Sequence, residues 1–161
     1  MNCSVSPRFV ADVMLGKLSR YLLICGYDCE YRKSFADREL VDFARSQQRI
    51  ILSRDRKLCL ELAADLPATL IHSTELREQL KRLKEEHELK FLRARLFKRC
   101  LKCNRKITPI SKKAVRDEVP AETYNWIDDY YCCPDCDSVY WHGSHFKAIK
   151  NRLIRWNLLD D

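Results

Sequence analysis

Two cysteine pairs of equal internal spacing, Cys100-x-x-Cys103 and Cys133-x-x-Cys136, stand 29 residues apart in the chain. A CxxC turn brings two sulfurs to one ion while backbone N–H groups support them, and four thiolates satisfy tetrahedral zinc. Pro134 suits the tight turn of the second knuckle. Cys132 is the alternative ligand, but only Cys133 gives the x-x spacing to Cys136. A redox dithiol is the competing reading, and the doubling of the pair beside a basic flank argues against it. A closed four-sulfur site leaves no position for water, so zinc there would hold the fold and take no part in catalysis. Cys3, Cys25, Cys29 and Cys59 lack such spacing and read as ordinary thiols.

Carboxylates supply the second set of candidates. Asp12, Asp37 and Asp55 each fall at the end of an expected strand or the start of an expected helix. Converging carboxylates hold Mg²⁺ or Mn²⁺, hard ions that prefer oxygen. Two such ions roughly 3.5–4 Å apart can activate water and stabilise the leaving oxygen in phosphodiester cleavage. Ser53 lies two residues before Asp55, on the same side of an extended strand, where its hydroxyl could bond a carboxylate. The plainer alternative is that Asp37 and Asp55 only cap helices. Glu39 and Asp42 read as solvated helix charges, and Asp28 and Glu30 as surface residues.

These side chains need a scaffold, and the first half of the chain reads as a βαβ series. Phe9-Val10-Ala11 is a short strand ending at Asp12. Leu15, Leu18, Leu22 and Cys25 follow at helical spacing, and Gly26 suits the residue just past that helix. Cys29 to Tyr31 is a second strand, and a helix capped by Asp37 buries Leu40, Val41 and Ala44. Arg49 to Ser53 is the best strand, followed by a helix through Leu58 and Leu62 that Pro67 ends, and by a strand over Ala68 to Ile71. Leu76, Leu80 and Leu83 open a long helix expected to run past Leu89 and Leu92. The fold class is α/β: a mainly parallel sheet flanked by helices over residues 1–98, then a zinc-ribbon module with a closing helix over 99–161. In such sheets the site lies at the carboxyl ends of the strands.

The chain has 161 residues with a formal net charge of +7. Residues 76–116 hold 15 basic and 4 acidic side chains, a local +11 that suits a polyanion such as nucleic acid. Pairs such as Lys81–Glu85 and Lys84–Glu88 would neutralise part of it. Beyond them, Arg93, Arg95, Lys98, Arg99, Lys102, Arg105, Lys106, Lys112 and Lys113 have no adjacent acidic residue, and Arg116 closes the stretch beside Asp117. Lys17 and Arg20 on the first helix, and Arg54 and Arg56 around Asp55, could steer phosphate to the acids. Tyr140, Trp141, His142 and His145 form the aromatic end of the ribbon. They could stack on bases, with packing against the first domain as the favoured role. No apolar run approaches the roughly 20 residues of a membrane span, and no secretory signal is visible. The protein therefore reads as cytoplasmic, with the nucleus as the alternative, and its cysteines as thiols or ligands rather than disulfides.

The ordered motifs Phe9-Val10-Ala11-Asp12, Met14-Leu15-Gly16-Lys17-Leu18-Ser19-Arg20-Tyr21-Leu22, Gly26-Tyr27-Asp28, Asp37-Arg38-Glu39-Leu40 and Ile51-Leu52-Ser53-Arg54-Asp55-Arg56 resemble the C-terminal RNase domain of the Mut-seven exonucleases. So do Arg99-Cys100-Leu101-Lys102-Cys103-Asn104, Val119-Pro120, Cys133-Pro134-Asp135-Cys136 and Tyr140-Trp141-His142-Gly143-Ser144-His145. The resemblance covers about residues 8–150. It implies a PIN-like nuclease domain with a zinc ribbon, acting on RNA, with Asp12, Asp37 and Asp55 in the places of the metal-binding acids. Two departures stand out. Ala36-Asp37 replaces two adjacent acids, with Glu39 as a compensating candidate, and Ser53 replaces the commoner Thr.

Three functions compete. The first is a Mg- or Mn-dependent ribonuclease with Asp12, Asp37, Asp55 and Ser53 as catalytic residues. Its phosphate contacts would be Lys17, Arg20, Arg54, Arg56, Arg95, Lys98 and Arg99, and its substrate single-stranded RNA. The second is a non-catalytic RNA-binding adaptor, and the third a DNA-binding zinc protein. A protein partner or a longer exonuclease is a further expected context.

Overall fold

The computed structural model describes residues 6–160, so Cys3 lies outside the described residues. Seven elements build the first layer: β1 (Arg8–Ala11), α1 (Gly16–Ile24), β2 (Asp28–Tyr31), α2 (Asp37–Gln47), β3 (Ile50–Ser53), α3 (Arg56–Leu62) and β4 (Ala68–Leu70). The four strands are parallel in the order β2-β1-β3-β4. Alternation along the strands divides the core into two faces. Phe9, Ala11 and Leu52 pack with Leu18 and Leu22 of α1, whereas Val10 and Ile51 pack with Leu40 and Ala44 of α2 and Leu58 and Leu62 of α3. Helices on both faces are what the short apolar strands require.

Gly26 closes α1 with φ +88°, and a Cβ there would lie 2.8 Å from the Arg95 carbonyl oxygen. Turn and neighbour both demand glycine. The fourth helix departs from expectation. α4 (Leu76–Glu86) ends before Leu89, because Glu88 turns left-handed (φ 51°) and Leu89 N–H closes on Lys84 O at 2.9 Å. The chain then inserts Leu89 and Phe91 into the core. Tyr27 Oη holds that segment, accepting from Lys90 N–H at 2.8 Å.

The second layer is an antiparallel sheet, β5 (Thr108–Ile110), β6 (Tyr130–Cys132) and β7 (Val139–Trp141), with α5 (Ala121–Trp126) beside it. Val115, Val119 and Tyr130 form its own small core. α6 (Ser144–Arg155) then returns to the first layer, where Ile149, Leu153 and Leu158 join the core of α1 and α4. Lys84 Nζ lies 2.7 Å from Asp160 Oδ1, and Phe91 N–H donates to Asp160 Oδ2 at 2.8 Å, which clamps the end of the chain. No helix among the described residues is long and apolar enough to cross a membrane.

A polar seam joins the layers. Asn104 follows the first cysteine knuckle, and its amide donates to Asp28 Oδ1 at 2.7 Å and Glu30 Oε1 at 2.9 Å. The buried Arg49 guanidinium also bonds the Asp28 carboxylate, and donates to Phe9 O at 3.0 Å. Arg99 Nη2 lies 3.8 Å from the same carboxylate. Asp28 and Glu30 are thus half-buried anchors, correcting their reading as surface residues. Alternation along β2 could not reveal the arginines that would come from elsewhere in the chain.

Burial alone would raise the Asp28 carboxyl. Hydrogen bonds from Arg49 and Asn104, with the Arg49 and Arg99 charges, outweigh it and hold the pKa below the ordinary value. A lowered folded pKa stabilises above the unfolded value of about 4 and loses that contribution as pH falls through the folded value. Asp28→Asn is therefore expected to cost about 3 kcal/mol at neutral pH, because it leaves Arg49 buried with a weakened partner. Urea unfolding should show that difference shrinking below about pH 4.

Candidate functional site

The chain goes from β1 to its neighbour β2 and then crosses to β3 on the other side of β1. The crevice at the carboxyl ends of β1 and β3 is therefore the topological switch point, where open α/β sheets bind ligands. Asp12 and Ser53 stand there. Asp12 N–H extends the ladder beyond β1 by donating to Leu52 O at 2.9 Å. Its carboxylate accepts from Val13 N–H at 2.5 Å and from Ser53 Oγ at 2.7 Å. Ser53 Oγ in turn accepts from Asp55 N–H at 3.0 Å. Asp55 caps α3 through Oδ1, which accepts from Lys57 N–H at 2.7 Å and Leu58 N–H at 3.1 Å.

Ser53 is fully buried and Asp12 is only 7% exposed, and Asp12 makes no ion pair among the described residues. Cys59 reports on both acids. Burial raises its thiol pKa, and the Asp55 and Asp12 charges raise it further. Tyr31 braces the loop after Asp12, its hydroxyl donating to Val13 O at 3.1 Å. That ring lies over Gly16, where a Cβ would come within 2.8 Å of it.

Asp37 stands apart. The cap of α2 is Ala36, whose N–H donates to Glu39 Oε2 at 3.0 Å, and Asp37 is the exposed first helical residue. The expected Asp37 cap is corrected accordingly, and Glu39 serves the helix end. No hydrogen bond or ion pair links Asp37 to Asp12 or Asp55 among the described residues. The expected acids thus divide into a connected pair and a separate third.

The expected cations divide similarly. A groove of about 680 Å³ is lined by Lys17, Arg54, Arg77 and Arg152 together with Glu75 and Glu78. It reaches Met14, within the 3-10 turn that follows Asp12, and Arg54, the residue before Asp55. The Arg54 Nε is buried there without a partner. Arg20, three residues after Lys17, opens into other recesses. Arg56 is exposed at the start of α3. Arg95, Lys98 and Arg99 line a separate recess of about 450 Å³ with Arg8 and Asp28. Some of the apparent surplus is paired across the fold: Arg105 Nε with Asp135 at 2.7 Å, Lys112 with Asp128 at 2.9 Å, and Arg99 with Asp28. Lys84 pairs with Asp160, not Glu88, while Lys81–Glu85 forms at 4.0 Å. Arg77 and Arg152 were not singled out from sequence, because nothing local marks a cation that a distant helix carries to a groove.

The cysteines converge as their spacing implies. Sulfur separations are 3.6 Å for Cys100–Cys136, 3.3 Å for Cys103–Cys133 and 3.7 Å for Cys103–Cys136. Zinc–sulfur bonds of 2.3 Å in a tetrahedron require about 3.8 Å. These four are the one group of three or more candidate ligands, among the described residues, whose donor atoms all lie within 4.8 Å of one another. The cluster could therefore bind zinc. Cys132 stands outside it, its Sγ 3.5 Å from Cys133 O. Tyr140 Oη lies 3.1 Å from Cys100 Sγ and accepts from Leu101 N–H at 3.1 Å. The Ser138 hydroxyl and N–H hold the Cys136 thiol down to about 6. Burial and the adjacent sulfurs push Cys103 up to about 12.

Fold and sites together define an α/β protein with acids at the switch point of a parallel sheet and a four-cysteine ribbon packed against it. A family model described as the Mut7-C RNAse domain matches residues 7–153, nearly the whole chain, and the protein belongs to that family. No curated protein and no solved structure gives a significant match.

Ser53→Ala should lower unfolding free energy by about 1–3 kcal/mol, since Asp12 loses a donor and Asp55 N–H an acceptor in a buried place. The urea midpoint should fall with an unchanged slope. Cys133→Ser should abolish stoichiometric zinc retention and Cys132→Ser should leave it intact, as metal analysis after gel filtration would measure.

Proposed function

We propose that the protein is a metal-dependent ribonuclease acting on single-stranded RNA, with Mg or Mn held by Asp12 and Asp55, Asp37 approaching from α2, and zinc on the four cysteines as a structural element. Asp12 carries this reading: a carboxylate 7% exposed, bonded among the described residues only by neutral donors. Buried charges are ordinarily paired or coordinate metals. The donor set of carboxylate and hydroxyl oxygens suits a hard divalent cation. When bound, the cation would offset charge gathering at the phosphoryl oxygens and make water a competent nucleophile at neutral pH.

The chain's own residues do the rest. Ser53 fixes the rotation of the Asp12 carboxylate and ties it to the backbone of Asp55. Lys17, Arg54 and Arg56 draw phosphate toward the pair, while Arg20, Arg95, Lys98 and Arg99 extend the attraction along the surface. Family membership supports RNA as the substrate class. A reducing compartment, the cytoplasm or nucleus, would keep the thiols available for zinc. The chain also fits work within a longer exonuclease or beside a protein partner.

A second reading, a non-catalytic RNA-binding module, is favoured by Ala36 before Asp37 and because no three carboxylates among the described residues gather within 4.8 Å of one another. Manganese-supported digestion of labelled single-stranded RNA, with zinc present, separates the two. Asp12→Asn and Asp55→Asn are expected to reduce cleavage to background while RNA retention persists. Cleavage by both variants at the parental rate removes the nuclease reading. Salt-sensitive RNA binding without cleavage by the parent establishes the second.

A further inference from the structure

Four rings stand in file between the second sheet and α6. Tyr131 and His142 have centroids 5.4 Å apart at 33°, His142 and Phe146 3.9 Å apart at 30°, and Phe146 and Phe97 4.4 Å apart at 42°. All four line a cavity of about 380 Å³. That volume lies within the range of pockets that hold small organic molecules. All four rings are only half-buried, so the file keeps apolar surface toward the opening. Arg20 and Arg99 also line the cavity, and Lys98 Nζ lies 5.4 Å from the Tyr131 ring. No carboxylate lines it, in contrast to the Lys17 groove with Glu75 and Glu78. Arg20 and Lys98 make no ion pair among the described residues. A file of ring edges under a cationic rim is complementary to the π-face of a flat base carried on a phosphate chain.

We propose that this cavity receives one unstacked base of the RNA strand, its face laid against the open side of the Tyr131–His142–Phe146–Phe97 file, with Arg20 and Lys98 on the flanking phosphates. The inference rests on RNA being the substrate. Position supports it: Lys17 and Arg20 lie three residues apart on α1, about one helical turn, yet open into the Lys17–Arg54 groove and the aromatic cavity respectively. A strand running along α1 would therefore reach both recesses. Burial and the Lys98 and Lys150 charges lower the His142 pKa against the opposing Asp129 charge, which favours the uncharged ring within the file. Recognition would be tolerant of base identity, because every base offers a π-face.

The test uses the full zinc-loaded chain carrying Asp12→Asn, so that the probe is not cut. Fluorescence anisotropy compares a labelled short oligouridylate with an oligomer of abasic ribose phosphates of equal length. The base-containing oligomer should bind about 5- to 150-fold more tightly. Adding His142→Ala should remove most of that difference and leave abasic binding unchanged. Phe146→Leu, which keeps volume and apolarity, should act in the same direction and guards against loss of fold in the alanine variant. Equal binding of the two oligomers by the His142-containing protein overturns the base site and leaves the RNA reading standing. Failure of both oligomers to bind overturns the RNA reading and the base site together. Equal loss on both oligomers in both ring variants shows a merely structural file and also overturns the proposal.

Discussion

A carboxylate buried where the sheet reverses its strand order is the constraint around which this molecule is arranged. Asp12 reaches the switch point because β1 is central and its ladder with β3 continues one residue past the strand. Leaving such a charge bonded only to neutral donors is costly in a low-dielectric place. The surroundings lower that cost without cancelling it. Ser53 gives its proton to Asp12 and takes one from the Asp55 backbone, so a single hydroxyl fixes two acids from two segments. Thr in place of Ser53 would add a methyl group in a site with no exposed surface, so the smaller side chain suits this packing.

The ribbon cannot be an independent appendage to this site. Asn104, the residue after the first knuckle, is bonded to both acids of β2, and β2 is the neighbour of the strand that ends at Asp12. Tyr31, the last residue of β2, braces the Asp12 loop through Val13. Hydrogen bonds to β2 from the cysteine knuckle and from β2 to the Asp12 loop, joined by the strand's own backbone, thus link the two sites. Ile149 and Leu153 of α6 close the arrangement by entering the core of α1. Fixing the cysteines by a metal therefore orders more than the ribbon itself.

The parallel strands, the closing helix and the four sulfurs were legible in the sequence, because each is written in local period or spacing. Phe9-Val10-Ala11 and Ile50-Ile51-Leu52 allow little other than a strand covered on both faces. The cysteine spacing separates Cys133 from Cys132 without help from the fold. What the sequence hid was tertiary. Leucine periodicity runs straight through Glu88, yet the helix ends there because Leu89 and Phe91 gain more by filling the core than by continuing a helix whose outer face is charged. Asp28 and Glu30 looked exposed because their partners, Arg49, Arg99 and Asn104, come from segments 19 to 76 residues away. Asp37 looked like a cap because Asp is a good one, but the Glu39 side chain satisfies the Ala36 N–H and moves the helix start back by one residue.

The cationic surplus makes the same point about function. Read along the chain, residues 76–116 form one basic stretch that suggests a continuous track for a polyanion. In the fold, Arg99, Arg105 and Lys112 turn to acids of other segments, and others separate into different recesses, Arg77 in one and Arg95, Lys98 and Lys106 in another. Scattered cations give affinity that salt screens and sequence does not direct. They do not by themselves hold a phosphodiester still beside a carboxylate, whereas catalysis depends on such positioning. Placement must therefore come from contacts of fixed geometry, and in this molecule the ring file is an apolar surface beside cations. On the proposed ribonuclease reading, charge would bring the strand to the protein, and shape would decide which bond lies over Asp12.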